Sequence, residues 1–331
     1  MYVPILKARR TEMRIIKDLN YCFSEKIVPL VEIINQKNDL SKIIDNIDGK
    51  MFFVDFLRIS IEKYGNKFNP SSVILSMNIS RNEDEYIESL KGLLIYNNVI
   101  PIISIKDKFE MDESILEKLY NELSLNNRSV ALRITPAYIG KYKNILENVI
   151  QKKDYLLFDI EETNLLSREI ELDELSDLTI SAKKILLNSP RESRLTNGEF
   201  EENGFSVLID NSVAREYLNR GFYGFGDYCG YKDILPRKNG SKGEGAAIAL
   251  IYNYNDNAFL SFVEKNTKLG VAGYHKVINE ILKQKDVIND FDSCIAMKKV
   301  EEFSSRDKKG NWSTWIGITI MRYIYQMYLN L

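Results

Sequence analysis

The chain is expected to fold as an α/β protein, a TIM-like (β/α)8 barrel carrying a C-terminal β-hairpin and helix as an insertion. Three observations lead there. Short apolar runs recur up to residue 227, segments of helical spacing separate them, and a polar or charged residue closes nearly every run. Such alternation implies right-handed crossovers and a parallel sheet. Eight runs favour closure into a barrel, with a doubly wound open sheet as the competing arrangement.

The runs are Val3 to Leu6, Ile27 to Ile33, Met51 to Phe56, Val99 to Ile105, Val130 to Ile134, Tyr155 to Ile160, Ile185 to Leu187 and Phe222 to Phe225. They are rich in Val, Ile, Leu and Phe, as strands covered on both faces require. Between the first two, Thr11 to Phe23 reads as a helix capped by Thr11, burying Met13, Ile16 and Leu19. Further stripes are Leu40, Ile43, Ile44 and Ile47; Tyr86, Ile87, Leu90, Leu93 and Leu94; and Ile115, Leu116, Leu119 and Leu123. Ile139 to Val149, Leu172 to Ala182 and Val213 to Leu218 continue the rhythm. Val73 to Met77 is a further apolar run, an extra strand or itself the third or fourth one. Arg191 to Gly204 is polar and reads as a long loop.

After Asp227 the pattern changes. Ala247 to Tyr254 and Ala258 to Val263 flank Asn255-Asp256-Asn257, a β-hairpin signal. Val271 to Lys283 and Trp315 to Leu329 read as helices. The expectation is one domain over 1–331, with 232–311 (loop, hairpin and helix) inserted and the last helix packing back to complete the barrel.

Bulk properties exclude several classes. The 45 basic and 47 acidic residues give a formal charge of −2, so no global field attracts nucleic acid or an anionic membrane. Cys22, Cys229 and Cys294 lie far apart and form neither a CxxC motif nor a disulfide framework. No apolar run approaches the roughly 20 residues that span a bilayer. At the N-terminus the charges follow a short apolar stretch, the reverse of a signal peptide. A cytoplasmic protein is expected.

Candidate chemistry lies where strands end, since barrels of this type place active groups there. Those positions carry Lys7, Glu32, Asp55, Arg133, Asp159, Asn188 and Asp227, with Ser104 or Lys106 on the fourth strand and Tyr228 beside Asp227. Glu32, Asp55, Asp159 and Asp227 suit Mg²⁺, a hard cation that prefers oxygen. Lys7 and Arg133 suit phosphate, Arg by a two-pronged contact. Together they suggest metal-assisted phosphoester hydrolysis, with Lys106, Asn188 and Tyr228 as further ligand contacts. The bland alternative is a buried salt-bridge network that fixes barrel closure. The single histidine, His275, reads as exposed or capping, which disfavours a two-histidine phosphodiesterase and a zinc site. Gly240 to Gly245 resembles a phosphate loop only in composition and reads as a surface loop. Arg306 to Lys309 reads as a solvated basic loop.

Met1 to Arg9, Pro29-Leu30-Val31-Glu32-Ile33 and Val54-Asp55 resemble the opening of the Beta protein family, largely uncharacterised bacterial and phage proteins. Gly224-Phe225-Gly226-Asp227-Tyr228 and Gly310 to Trp315 are similar to a sister group, often encoded beside a nuclease-like protein in bacterial defence regions. The resemblance implies a barrel-like fold and a place in antiphage defence, with no reaction attached. Two functions follow as expectations. One is a defence component whose barrel mouth binds or processes a phosphate-bearing ligand, a nucleotide or nucleic acid. The other is a scaffold that holds a nuclease-like partner through Trp312, Trp315, Tyr323, Tyr325 and Tyr328.

Overall fold

Eight parallel strands close into a barrel in a computed structural model that describes residues 1–36, 39–66, 68–238 and 245–331. The barrel strands are β1 (Tyr2–Lys7), β2 (Leu30–Ile33), β3 (Phe52–Phe56), β4 (Val99–Ile105), β5 (Ala131–Ile134), β6 (Tyr155–Asp159), β7 (Lys183–Asn188) and β9 (Gly224–Asp227). A short strand, β8 (Asn203–Phe205), belongs to a second sheet with β10 (Ala247–Asn253) and β11 (Ala258–Glu264). All eight apolar runs thus become barrel strands, and the competing open sheet is excluded by the pairing of β1 with β9.

The crossovers are uneven. α1 (Arg10–Asp18) and α2 (Asp39–Ile47) follow the first two strands, and α3 (Ile61–Tyr64), α4 (Ile74–Arg81) and α5 (Glu83–Lys91) lie between β3 and β4. α6 (Glu113–Leu123) follows β4, a 3-10 turn and a π turn follow β5, α7 (Glu169–Ser176) follows β6, and α8 (Val213–Glu216) precedes β9. The run at 73–77 is therefore helical, not a strand. Asn69 accepts from the Ser71 N–H at 3.2 Å and Pro70 opens a 3-10 turn, after which α4 buries Leu75 and Ile79, four residues apart. The N-cap of α1 is Arg9 rather than Thr11, with no side-chain hydrogen bond at the cap. Within 191–204, taken as loop, the chain forms β8, because its backbone completes the edge of β11.

The last three helices are α9 (Tyr274–Lys283), α10 (Ile295–Ser305) and α11 (Trp312–Asn330). Asn311 and Thr314 cap α11 reciprocally. Its residues are buried on nearly every side from Trp315 to Met327, as befits a helix held between two layers. One side meets the barrel, where the Tyr323 ring packs on Tyr2, and the other meets the second sheet through Tyr252 and Phe259. No helix among the described residues is long and apolar enough to cross a membrane.

Strand alternation sets the barrel interior. Val3, Ile5, Leu30, Phe53, Ile100, Ile102, Ala131, Leu157, Ile185 and Leu187 form one buried apolar cluster there. Along β9 the inward positions are Gly224 and Gly226. A Cβ on Gly226 would lie 2.4 Å from the Val3 carbonyl oxygen and 2.7 Å from Leu187 Cδ2. These glycines therefore let the last strand close against the first; they do not open space for a ligand.

Candidate functional site

On the register of that apolar cluster, the next inward residue toward the carboxyl end is polar on strand after strand: Lys7, Glu32, Asp55, Ser104, Arg133, Asp159 and Tyr228. All are buried. Arg133 is the hub. Its Nε and Nη2 donate to Asp159 Oδ2 at 2.9 and 2.7 Å, and Nη1 donates to Glu32 Oε1 and Asp55 Oδ2 at 2.9 Å each. The Ser104 hydroxyl donates to Asp55 Oδ2 at 2.8 Å and the Tyr228 hydroxyl to Glu32 Oε1 at 2.9 Å. Lys7 pairs with Glu32 and lies 4.7 Å from the centre of the Tyr228 ring.

A roof that sequence reading missed covers this layer. After Tyr228, Cys229 and Gly230 both take positive φ (55° and 74°) and turn the chain back across the mouth. Asp233 then pairs with Lys7 at 2.7 Å and with Lys63 at 3.0 Å, and the Tyr64 hydroxyl donates to it at 3.2 Å. Lys63 also reaches Glu161 at 2.7 Å. Asp233, Lys63 and Tyr64 sit in loops or a one-turn helix with no periodic signal, so only the spare charge on Lys7 pointed to them.

The electrostatics follow from burial and pairing. Burial alone would raise Glu32, but Lys7 and Arg133 outweigh it and hold its carboxyl at about 2. Asp233 is likewise pulled well below the usual carboxylate range, burial being overcome by Lys63 and Lys7. Burial works against the Arg133 cation, yet Asp159, Tyr228, Glu32 and Asp55 strengthen its hold on the proton. Glu32 and Asp233 are therefore carboxylates at neutral pH, and Lys7, Lys63 and Arg133 are already paired. This is the geometry of the salt-bridge alternative, and it leaves Lys7 and Arg133 little capacity for a phosphate.

Lys106 differs. It lies one residue beyond β4, half-buried; its ammonium makes no hydrogen bond or ion pair among the described residues and lies 6.0 Å from the centre of the Phe109 ring. Burial, reinforced by Lys63, lowers its ammonium to about 8. Two unsatisfied groups belong to the same layer. Asp55 Oδ1 and the Ser189 hydroxyl are buried without a hydrogen-bond partner, and Ser189 continues the inward register of Ile185 and Leu187.

Two expected members fall outside the mouth. Asn188 and Asp227 are register partners one step from the inward Leu187 and Gly226, so both point outward, toward the helices. Asp227 accepts from the Tyr2 hydroxyl at 3.1 Å, the Tyr323 hydroxyl at 2.9 Å and the Cys229 N–H at 2.7 Å. Burial raises its carboxyl to about 6. The expected Mg²⁺ set is corrected accordingly. Glu32, Asp55 and Asp159 surround the Arg133 guanidinium where a cation would sit, and Asp227 lies across the strand layer. No group of three His, Cys, Asp or Glu among the described residues is placed to hold a metal ion.

The partner anchors are also largely consumed within the fold. Trp315, Tyr323 and Tyr325 are buried, and Tyr328 remains exposed. His275 is partly exposed, 3.7 Å from Asp307. Residues 240–244 of the glycine-rich loop lie outside the described residues.

A family model described as Beta protein matches residues 2–186. No curated protein matches the chain. Among solved structures, D-psicose 3-epimerase with D-tagatose from Clostridium cellulolyticum H10 aligns at 9% identity over 92% of this chain and 98% of that one, with a TM-score of 0.37. The barrel rests on its own strand pairing, and so distant a likeness adds nothing to the site.

Proposed function

The chain belongs to the Beta protein family, and from that premise we propose that its barrel mouth binds or processes a phosphate-bearing ligand, a nucleotide or nucleic-acid end, in a cytoplasmic component of a bacterial antiphage system. One observation carries the ligand class. Lys106 is a partly desolvated cation with no ion-pair partner among the described residues, set beside a network whose other cations are paired. An anion arriving there recovers the charge stabilisation that burial has removed. Asp55 Oδ1 and the Ser189 hydroxyl supply an acceptor and a hydroxyl for the ligand's own polar groups. Magnesium enters this reading only on the ligand's phosphates. The defence setting rests only on the resemblance read in the sequence of Gly224 to Tyr228 and Gly310 to Trp315.

Thermal unfolding against nucleotides and short DNA or RNA, with and without Mg²⁺, tests the reading. A ligand at a hundred times its dissociation constant adds about 2.7 kcal/mol. Lys106→Met is expected to keep the unliganded melting temperature, since no pair is lost, and to abolish the shift. Binding by the wild type should weaken as pH rises through 8, where Lys106 loses its charge. No shift with any ligand, or a shift intact in the variant, overturns the assignment. Deletion of the gene in its native operon should lower phage resistance; unchanged resistance removes the defence part.

A further inference from the structure

Three buried arginines have no carboxylate partner among the described residues: Arg58, Arg191 and Arg322. Two of them are anchored by main-chain carbonyls. Arg58 donates to the oxygens of Ser104 at 2.5 Å and Phe109 at 2.9 Å, and Arg322 donates to those of Tyr252 at 2.9 Å and Asn289. Each of these two keeps one nitrogen unpartnered, Arg58 Nε and Arg322 Nη1. Arg191 donates to no carbonyl among the described residues. Its one hydrogen bond runs from Nη2 to Asn197 Oδ1 at 3.1 Å, its Nε is buried without a partner, and its guanidinium lies 4.8 Å from the centre of the Phe200 ring.

A second buried cation stands beside it. Lys232 is lowered to about 8 by burial first, then by Arg191 and Arg237. Its ammonium donates to the carbonyls of Ser193 at 3.1 Å and Leu195. Glu162 and Glu199 oppose that lowering, but neither forms an ion pair with it among the described residues. Glu162 accepts from the Ser193 N–H at 2.9 Å, and Glu199 accepts from the Thr196 N–H at 2.6 Å. Like charges held together out of water are costly unless something neutralises them.

We propose that Arg191 and Lys232 form a phosphate subsite between the loops that follow β7 and β9. The ligand class is a phosphate group, free or esterified. A planar guanidinium whose Nε has no partner suits two-pronged contact with phosphate oxygens, and the ammonium supplies a second positive charge. The loops after the last two strands hold phosphate in many barrels of this architecture. The subsite stands independently of the Lys106 reading, because it takes orthophosphate itself.

The test is titration of the full chain with orthophosphate, glucose 6-phosphate and sulfate, followed by calorimetry at pH 7. Orthophosphate is expected to bind, and Arg191→Gln and Lys232→Gln are each expected to weaken it at least tenfold. Lys298→Gln, an exposed charge change on α10, should leave binding unchanged. Lys232→Gln keeps donors for the two carbonyls, so it carries the test if the arginine variant fails to fold. Raising pH from 7 to 9 should weaken binding as Lys232 discharges. Tighter binding of glucose 6-phosphate than of orthophosphate would identify an esterified ligand, and the reverse order a free one. Absence of phosphate binding, or binding intact in Lys232→Gln, overturns the subsite. Phosphate binding lost in Lys106→Met but kept in Lys232→Gln assigns the anion to the mouth, so the subsite falls while the reading of the mouth stands.

Discussion

Arg133→Met is the most informative change to the mouth, because it removes the hub while keeping an apolar stem of similar bulk. Asp159 would retain the Glu161 N–H at 2.9 Å, Asp55 would retain Ser104 at 2.8 Å, and Glu32 would retain Lys7. Asp55 and Asp159 would thus lose their only ion-pair partner among the described residues. Removing one partner of a buried ion pair costs about 3–5 kcal/mol, a large share of the roughly 5–15 kcal/mol that stabilises a domain. Lys7 first and Arg133 second displace Glu32 from 4.5 to about 2, roughly 3 kcal/mol at about 1.4 kcal/mol per unit, which bounds from above what Arg133 contributes through this carboxylate. In the wild type that contribution is full above pH 4.5 and is lost as pH falls toward 2. The Glu32 contribution is full throughout pH 5 to 7, so the deficit of the variant should persist across that range. Urea unfolding of both proteins at pH 7, 6 and 5 measures it. A deficit below about 1 kcal/mol at pH 7, or one that does not persist to pH 5, would refute the reasoning.

Other consequences are equally direct. Because burial raises Asp227 to about 6, its contribution to stability is full below pH 4 and is lost as pH rises through 6, by about 3 kcal/mol at pH 8. Asp227→Asn should flatten the melting temperature between pH 4 and 8 and exceed the wild type at pH 8; its new amide N–H can donate to Tyr323, whose hydroxyl also lies 2.9 Å from Asn211 Oδ1. Gly226→Ala should destabilise by about 1–3 kcal/mol, since the added methyl would overlap Val3 and Leu187. A melting temperature unchanged in that variant would show that the seam has slack.

Much of the barrel was legible because a strand buried on both faces leaves an apolar run that polar loops cannot imitate. All eight such runs, from Val3 to Leu6 through Phe222 to Phe225, became strands. Val73 to Met77 failed for the same reason in reverse, since five apolar-rich residues fit one and a half helical turns as well as a strand. The charged layer was also visible at strand ends, and Lys7, Glu32, Asp55, Arg133, Asp159 and Tyr228 do meet. Asp227 and Asn188 were misplaced because their distance from the strand end was used and their parity was not. Counting by twos from Ile185 and Gly224 sends both outward. The roof of Asp233, Lys63 and Tyr64 had no local signal, because its logic is the charge of residues far away in sequence. Arg191 was hidden for a related reason: isolation of a cation is a property of the folded neighbourhood.

The seam between β1 and β9 has a consequence for how the molecule is made. Tyr2, Val3 and Pro4 find their partners in Phe225, Gly226 and Asp227, so the ring stays open until residue 227 has left the ribosome. At about 5–20 residues per second the nascent chain spends roughly 10 to 45 seconds with the edge of β1 unpaired. A bare strand edge of that kind is the template on which chains stick to one another. The hydroxyl of Tyr323 on Asp227 arrives later still. Yield during synthesis, more than equilibrium stability, is therefore where faults in this seam should first be felt, and slowing elongation before residue 227 should lengthen the hazard.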